Sequence, residues 1–134
     1  MYSQDRLPVM LSDAVEFASD RLRKSNGPFS PFVIAYDGGS KEMILLEQLE
    51  ESAVQARGLE VIRERRPEFA VLCYHGHLTL DNARTGAIFA VGCEKGTIRS
   101  DVFARPYRPK AFLRRMWFGE LSRCGVVDNP LRAR

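Results

Sequence analysis

Cysteine is scarce in this sequence, and none of it forms a metal or redox motif. The three cysteines, Cys73, Cys93 and Cys124, are odd in number and contain no CxxC pair. An odd count without close spacing argues against a disulfide framework and favours a reducing compartment. We therefore expect a cytoplasmic protein whose thiols are free.

Long apolar runs are also missing. No stretch approaches the roughly 18 apolar residues of a membrane-spanning helix, and the N-terminus, MYSQDRLPVM, lacks the apolar region of an export signal. We expect no membrane partner. With 134 residues, 45% of them hydrophobic and 28% charged, the chain is predicted to be one domain over 1–134 that buries its own core.

Acidic residues become rare in the last quarter of the chain. Residues 99–134 hold nine basic and three acidic side chains, a net charge of +6, whereas residues 1–98 carry a net charge of −3. The basic segment contains the candidate binding residues Arg105, Tyr107, Arg108, Lys110, Arg114 and Arg115. Arginine supplies charge for phosphates and tyrosine can stack on a base. Because no nucleic-acid motif surrounds it, nucleic-acid or anionic-ligand binding here is the alternative interpretation.

Hydrophobic periodicity predicts helices at both ends of the chain and one between. An apolar stripe at three- and four-residue spacing predicts a helix over about 8–24, which Ser25-Asn26-Gly27-Pro28 ends. A second helix is predicted over about 50–66; Gly58 lies between its buried residues at a cost in helix propensity, for which a close approach to the sheet is one compensation. A third is predicted after Pro109 from the spacing of Leu113, Met116, Trp117 and Leu121. Residues 126–134 are expected to be a loose tail.

Runs of β-forming residues lie between these helices. Strands are predicted over 32–36 and 43–47, joined at Asp37-Gly38-Gly39-Ser40, and over 69–80 and 85–92, joined at Asp81-Asn82. The apolar second pair is expected at the centre of the sheet, and 97–104 nearer its edge. The prediction is an α+β fold in the order α-β-β-α-β-β-β-α, with a mainly antiparallel five-stranded sheet and helices packed on it.

Two stretches carry a family resemblance. GPFSPFVIAYDGG and YHGHLTLDNARTGAIFAV resemble a pattern in a group of small bacterial α/β proteins of this length. The resemblance implies a bacterial origin and no particular activity. The order of elements alone resembles roadblock/profilin-like folds, which implies architecture and not function.

Cys73, His75 and His77 are the sequence's candidates for chemistry. They alternate along a predicted strand, so their side chains share one face of the sheet. Thiolate and imidazole are zinc ligands, which makes a metal-dependent enzyme using this face a further alternative. Side chains on a flat strand diverge, however, so we favour a buried Cys73 with the histidines at a rim, and we expect no cofactor.

The sequence thus favours a non-enzymatic interaction or ligand-binding module, a homodimer in a bacterial cytoplasm. The expected contact is an edge strand near Thr97–Ala104, with Phe118 outside and Trp117 turned inward.

Overall fold

Over residues 2–25, 28–46, 50–111 and 113–132, the computed structural model contains two helices and seven strands, with side chains described from Arg6 onward. The helices are α1 (Tyr2–Ser25) and α2 (Glu51–Arg65). The strands are β1 (Phe32–Asp37), β2 (Ser40–Leu45), β3 (Phe69–Leu80), β4 (Ala83–Glu94), β5 (Arg99–Arg108), β6 (Trp117–Phe118) and β7 (Ser122–Asp128). The first helix begins six residues before the predicted start at Pro8. The predicted stop residues Asn26 and Gly27, and the predicted strand end at Glu47, lie outside the described residues.

Every strand pairing in the sheet is antiparallel. The strand order is β2-β1-β3-β4-β5, and both β6 and β7 pair with the far side of β5. The α+β class, the antiparallel sheet and the central position of β3 and β4 are confirmed. Asp81 and Asn82 both adopt positive φ, the conformation of a tight two-residue hairpin. The predicted count of five strands is wrong, because the C-terminal part of the chain adds two more.

The third predicted helix is absent from the part of the chain that the structure describes. Trp117 and Phe118 form β6 instead, and Ser122–Asp128 form β7 along the outer side of β5. Pairing there satisfies backbone groups that would otherwise lie open at a sheet edge. The expected loose tail is likewise ordered over 126–132: the Asn129 amide donates to the carbonyls of Glu94 and Thr97, both at 2.7 Å.

Each face of the sheet carries one helix, and we name the faces after those helices. On the α1 face the helix places its apolar stripe over β3 and β4. The buried residues of this layer include Leu11, Ala14, Val15, Ala18, Leu22, Phe32, Ile34, Val71, Cys73, Ile88, Ala90 and Tyr107. On the α2 face, they include Val33, Val54, Val61, Ile62, Ala70, Leu72, Tyr74, Val91, Cys93, Val102 and Leu131. The sheet is therefore the middle of three layers.

Gly58 sets how closely α2 approaches the sheet. A Cβ at this position would lie 2.4 Å from Cδ1 and 2.6 Å from Cδ2 of Leu72, a fully buried β3 side chain. The predicted close approach is confirmed. A glycine within a helix lowers helix stability, but any larger residue at position 58 would force α2 to lie farther from β3.

Candidate functional site

The three candidates for metal chemistry share a face, as predicted, but are not brought together. Cys73 is fully buried beneath α1, and burial raises the pKa of its thiol far above the ordinary value. His75 and His77 are half-buried farther along β3. No group of three His, Cys, Asp or Glu side chains in the described ranges is placed to hold a metal ion.

His75 is bound into the end of the α1-face core. Its Nε2 lies 2.8 Å from the hydroxyl of Tyr107, and the edge of its ring packs against Phe29 with centroids 6.4 Å apart. Burial lowers the pKa of His75, and a charge on neighbouring His77 would lower it further. Burial also raises the pKa of Tyr107. Both groups are therefore neutral at pH 7, as suits a hydrogen bond between core side chains.

His77 makes a separate contact with α2. The pairing of β3 with β1 ends at Cys73, and Glu51, in the first turn of α2, reaches the open edge beyond it. The backbone N–H of His77 donates to Oε2 of Glu51 at 3.0 Å, and its Nδ1 lies 2.8 Å from Oε1. Because a carboxylate only accepts, Nδ1 carries the proton. These hydrogen bonds lower the pKa of Glu51.

Arg84 completes this cluster by charge rather than by a hydrogen bond. Its Nη2 is 3.2 Å from Nδ1 of His77, but that nitrogen is already donating to Glu51 and has no lone pair to offer. The relevant partner is Oε1 of Glu51, 3.9 Å away. Glu51 could not be predicted at this site because it lies 26 residues from His77 in the chain. Arg84 lies only seven residues away, on the predicted partner strand, and the hairpin pattern was the signal that could have identified it.

An open cleft of about 590 Å³ borders this cluster on the α2 face. Its floor is the stacked pair Tyr74 and Phe89, with ring centroids 5.4 Å apart, and the Tyr74 hydroxyl accepts a hydrogen bond from Gln55. Glu50, Glu51 and Arg84 also line the cleft. The side-chain contacts of His77 are thus with Glu51, Arg84 and the edge of the His75 ring.

The basic segment does not form one surface. Arg105 points inward on the α1 face: its Nε donates to the Gly119 carbonyl at 3.1 Å, and its Nη1 donates to Glu16 at 3.1 Å and Ser19 at 2.9 Å. Tyr107 is buried against His75. These two predicted binding residues stabilise the fold, since alternate residues of β5 point to the same side as the core.

The remaining basic residues lie together on the hairpin that joins β5 to β6. We call residues 108–111 and 113–117 the basic hairpin; Arg108, Lys110, Arg114 and Arg115 are all exposed on it. Its arms are held by paired hydrogen bonds between Ala111 and Arg114. Leu113 is 92% exposed near the tip, with a φ of 63°.

The aromatic residues of β6 face opposite to the prediction. Phe118 pairs with Tyr107 and packs against the α1-face core, whereas Trp117 pairs with Arg108 and is 41% exposed. The Arg108 guanidinium lies 5.0 Å above the Trp117 ring. A strand exposes alternate residues, so two neighbours that share a helical stripe are here separated onto two sides of the sheet.

Among the described residues, β2 ends the sheet on one side and β6 and β7 end it on the other, so β5 is not an edge strand. The predicted contact strand 97–104 is covered by β7, because the C-terminal residues pair with it from Arg99 to Ala104. All of β2 is exposed except Ile44, which is half-buried, and Met43 and Leu45 are 40% and 68% exposed. The sequence indicated this strand but not that it would end the sheet.

Across the same ranges of the chain, no helix has the length and apolar character needed to cross a bilayer. Comparison with protein families, with curated proteins and with solved structures gave no match.

Proposed function

We propose that this protein is a non-enzymatic interaction module that forms a homodimer by pairing β2 with β2 of a second copy. The observation that carries the proposal is the open, apolar edge of β2. The proposal retains the homodimer expected from the sequence and moves its contact to the other end of the sheet.

The hairpin geometry determines which backbone groups are available. Asp37 and Ser40 flank the two-residue turn, and the N–H of Leu46 donates to the Pro31 carbonyl, so even-numbered residues of β2 direct their backbone groups toward β1. The N–H and C=O groups of Lys41, Met43 and Leu45 therefore point outward. These are the groups with which a strand from another chain would pair.

The side chains beside this edge supply an apolar contact. Leu45 pairs with Phe32, and Phe17 of α1 packs edge-on against Phe32 with ring centroids 5.3 Å apart. Phe17 itself is 38% exposed. Phe17, Met43 and Leu45 thus form one strip on the α1 face, which a second copy would cover with its own strip.

A two-fold axis at Met43 gives the most favourable antiparallel register. It places Met43 opposite Met43 of the partner subunit and leaves no like charges opposite each other between 41 and 45. An axis at Glu42 would oppose two carboxylates, which is destabilising. The other edge is less suitable, because β7 is bulged where it meets β5 and its charged Arg123 side chain pairs with Asp101 of β5.

The free thiols of Cys73, Cys93 and Cys124 support a reducing compartment, the bacterial cytoplasm expected from the sequence.

The small β2–β2 contact predicts a dimer that dissociates in the roughly micromolar range.

Disulfide trapping tests the axis directly. In a Cys124→Ser background, Met43→Cys should form an intermolecular disulfide within minutes of mild oxidation, because directly opposed strand residues have Cα atoms about 5.5 Å apart. Lys41→Cys is the matched control: it lies on the same strand and face, but its copies are about 14 Å apart in this register. Equal trapping of both variants, or a monomer by sedimentation at 500 µM, would refute the proposal.

A further inference from the structure

The basic hairpin is a second surface, distinct from the dimer edge, and its composition points to a particular partner. Between 108 and 117 the sequence RPKAFLRRMW holds four cations and no acidic residue. We propose that this hairpin docks on the surface of an anionic phospholipid bilayer, with Leu113 entering the acyl region and the cations contacting lipid phosphates.

The positive charge at this end of the molecule lies on the hairpin itself. Arg23, at the end of α1, lies 4.7 Å over the Phe118 ring but pairs with Asp20. Arg84, near the start of β4, is 72% exposed and lies 3.9 Å from Glu51, so the charges of these two arginines are offset by carboxylates. Clusters of cations near an anionic leaflet gain binding strength from each charge, and salt screens that gain.

Leu113 distinguishes a bilayer from a nucleic acid. It is the most exposed large apolar side chain described, at 92%, and it lies near the tip of the hairpin with cations on either side. A leucine can neither stack on a base nor hydrogen-bond to one, but it gains from leaving water for an acyl environment.

Trp117 supports the same partner. It is half-exposed and its ring face is already occupied by Arg108, so that face is not open to a base. An amphipathic indole flanked by arginine is typical of the membrane–water interface. An interfacial loop needs no spanning segment, so this inference departs from the sequence-based expectation of no membrane partner.

The test uses the single tryptophan of the chain as its probe. Titration of the 134-residue chain with vesicles of 70% phosphatidylcholine and 30% phosphatidylglycerol should shift Trp117 emission to the blue, whereas pure phosphatidylcholine vesicles should not. Binding should weaken at least tenfold in 0.5 M NaCl. Leu113→Ser should weaken it about tenfold, the value of roughly one buried leucine.

Charge reversal separates local from global electrostatics. Arg114→Glu/Arg115→Glu should abolish flotation with the anionic vesicles, whereas Arg63→Glu/Lys95→Glu, which changes net charge equally at the opposite end of the sheet, should leave it nearly unchanged. Arg114→Gln/Arg115→Gln removes the two charges without reversing them; it should also weaken flotation while its thermal melting stays close to that of the unchanged protein, which separates loss of charge from loss of fold. Equal loss in both charge-reversal variants, equal binding to neutral vesicles, or binding to a 20-nucleotide RNA without vesicle binding would overturn the proposal.

Discussion

At the scale of single residues, substitution of Gly58 tests whether helix propensity or packing against Leu72 has the larger effect on the free energy of unfolding. Alanine favours a helix by about 1 kcal/mol over glycine, but its Cβ would overlap Leu72, and overpacking a buried site costs about 1–3 kcal/mol. We expect Gly58→Ala to lower the free energy of unfolding by about 1 kcal/mol net, measured by urea titration.

The sign should reverse when the obstruction is removed. In a Leu72→Ala background the same Gly58→Ala change should stabilise by up to about 1 kcal/mol, because only the propensity remains. If Gly58→Ala stabilises the otherwise unchanged protein, the Leu72 side chain must move aside to admit the new Cβ, and the packing argument is wrong.

The lowered pKa of His75 predicts how the free energy of unfolding depends on pH near neutrality. Its pKa is lowered on folding, so the folded state holds fewer protons than the unfolded state. Its contribution is complete above the unfolded pKa of about 6.5 and is lost as the pH falls through the folded value. Stability should therefore fall from pH 7.5 to 5.5.

His75→Gln should flatten this pH dependence in urea titrations at the two pH values. His77→Gln is the comparison: it leaves the His75–Tyr107 bond and the burial of His75 intact and removes only the smaller effect of a His77 charge on the pKa of His75, so it should change the slope less. An unchanged slope in His75→Gln would assign the dependence to another group.

At the scale of elements, the Arg105 side chain joins β5, α1 and the residues after β6. It makes three hydrogen bonds to Gly119, Glu16 and Ser19, and Ser19 in turn donates to the Val15 carbonyl. Lysine keeps the charge but lacks the planar fork that serves three acceptors.

Arg105→Lys should therefore lower the free energy of unfolding by about 1–2 kcal/mol, as expected for loss of charge-assisted hydrogen bonds. Arg108→Lys, on an exposed part of the same strand, should change it by less than about 0.5 kcal/mol. If the two variants lose equal stability, the contacts of Arg105 are not the cause.

The elements also show where sequence reasoning succeeds. The two-residue turns at Gly38-Gly39 and Asp81-Asn82 have strong local preferences, so both hairpins were predicted, although β2 begins at Ser40 rather than at 43 and β4 extends two residues beyond each end of the predicted 85–92. Gly58 was placed against the sheet because a mid-helix glycine on a buried face calls for a packing reason.

The C-terminal strands β6 and β7 were wrongly predicted as a helix and a loose tail, because they are determined by pairing with β5, a strand that lies earlier in the chain. Leu113, Met116, Trp117 and Leu121 fit a helical stripe, but the open side of β5 recruits 117–118 and 122–128 as strands. Tertiary pairing overrides local periodicity there. The Val126-Val127 pair was the one local sign of a strand. For the same reason the pairing of Glu51 with His77 could not be read from the chain, since it depends on where α2 begins relative to the edge of β3.

At the scale of the whole molecule, two fully buried cysteines report on the two core layers. Cys73 lies in the α1-face core and Cys93 in the α2-face core. Burial raises the pKa of Cys93 to about 11, and both thiols are shielded from reagents. Because the layers share β3 and β4, neither should open without disrupting the other.

In a Cys124→Ser background, native-state thiol labelling should give the same opening free energy at Cys73 and Cys93, and both should equal the global value from urea titration. Faster labelling of Cys73 alone would mean that α1 detaches while the sheet stays intact. Single-cysteine variants read by mass spectrometry distinguish these outcomes.

The position of α1 early in the chain also determines how long its apolar face stays uncovered while the protein is being synthesised. The helix ends at Ser25, yet its principal supports, β3 and β4, are complete only at Glu94. At translation rates of roughly 5–20 residues per second, that interval lasts from a few seconds to more than ten. Throughout it the apolar stripe of the nascent helix has no sheet to cover it, so a holdase chaperone is best placed to act on this protein before its middle third has been synthesised.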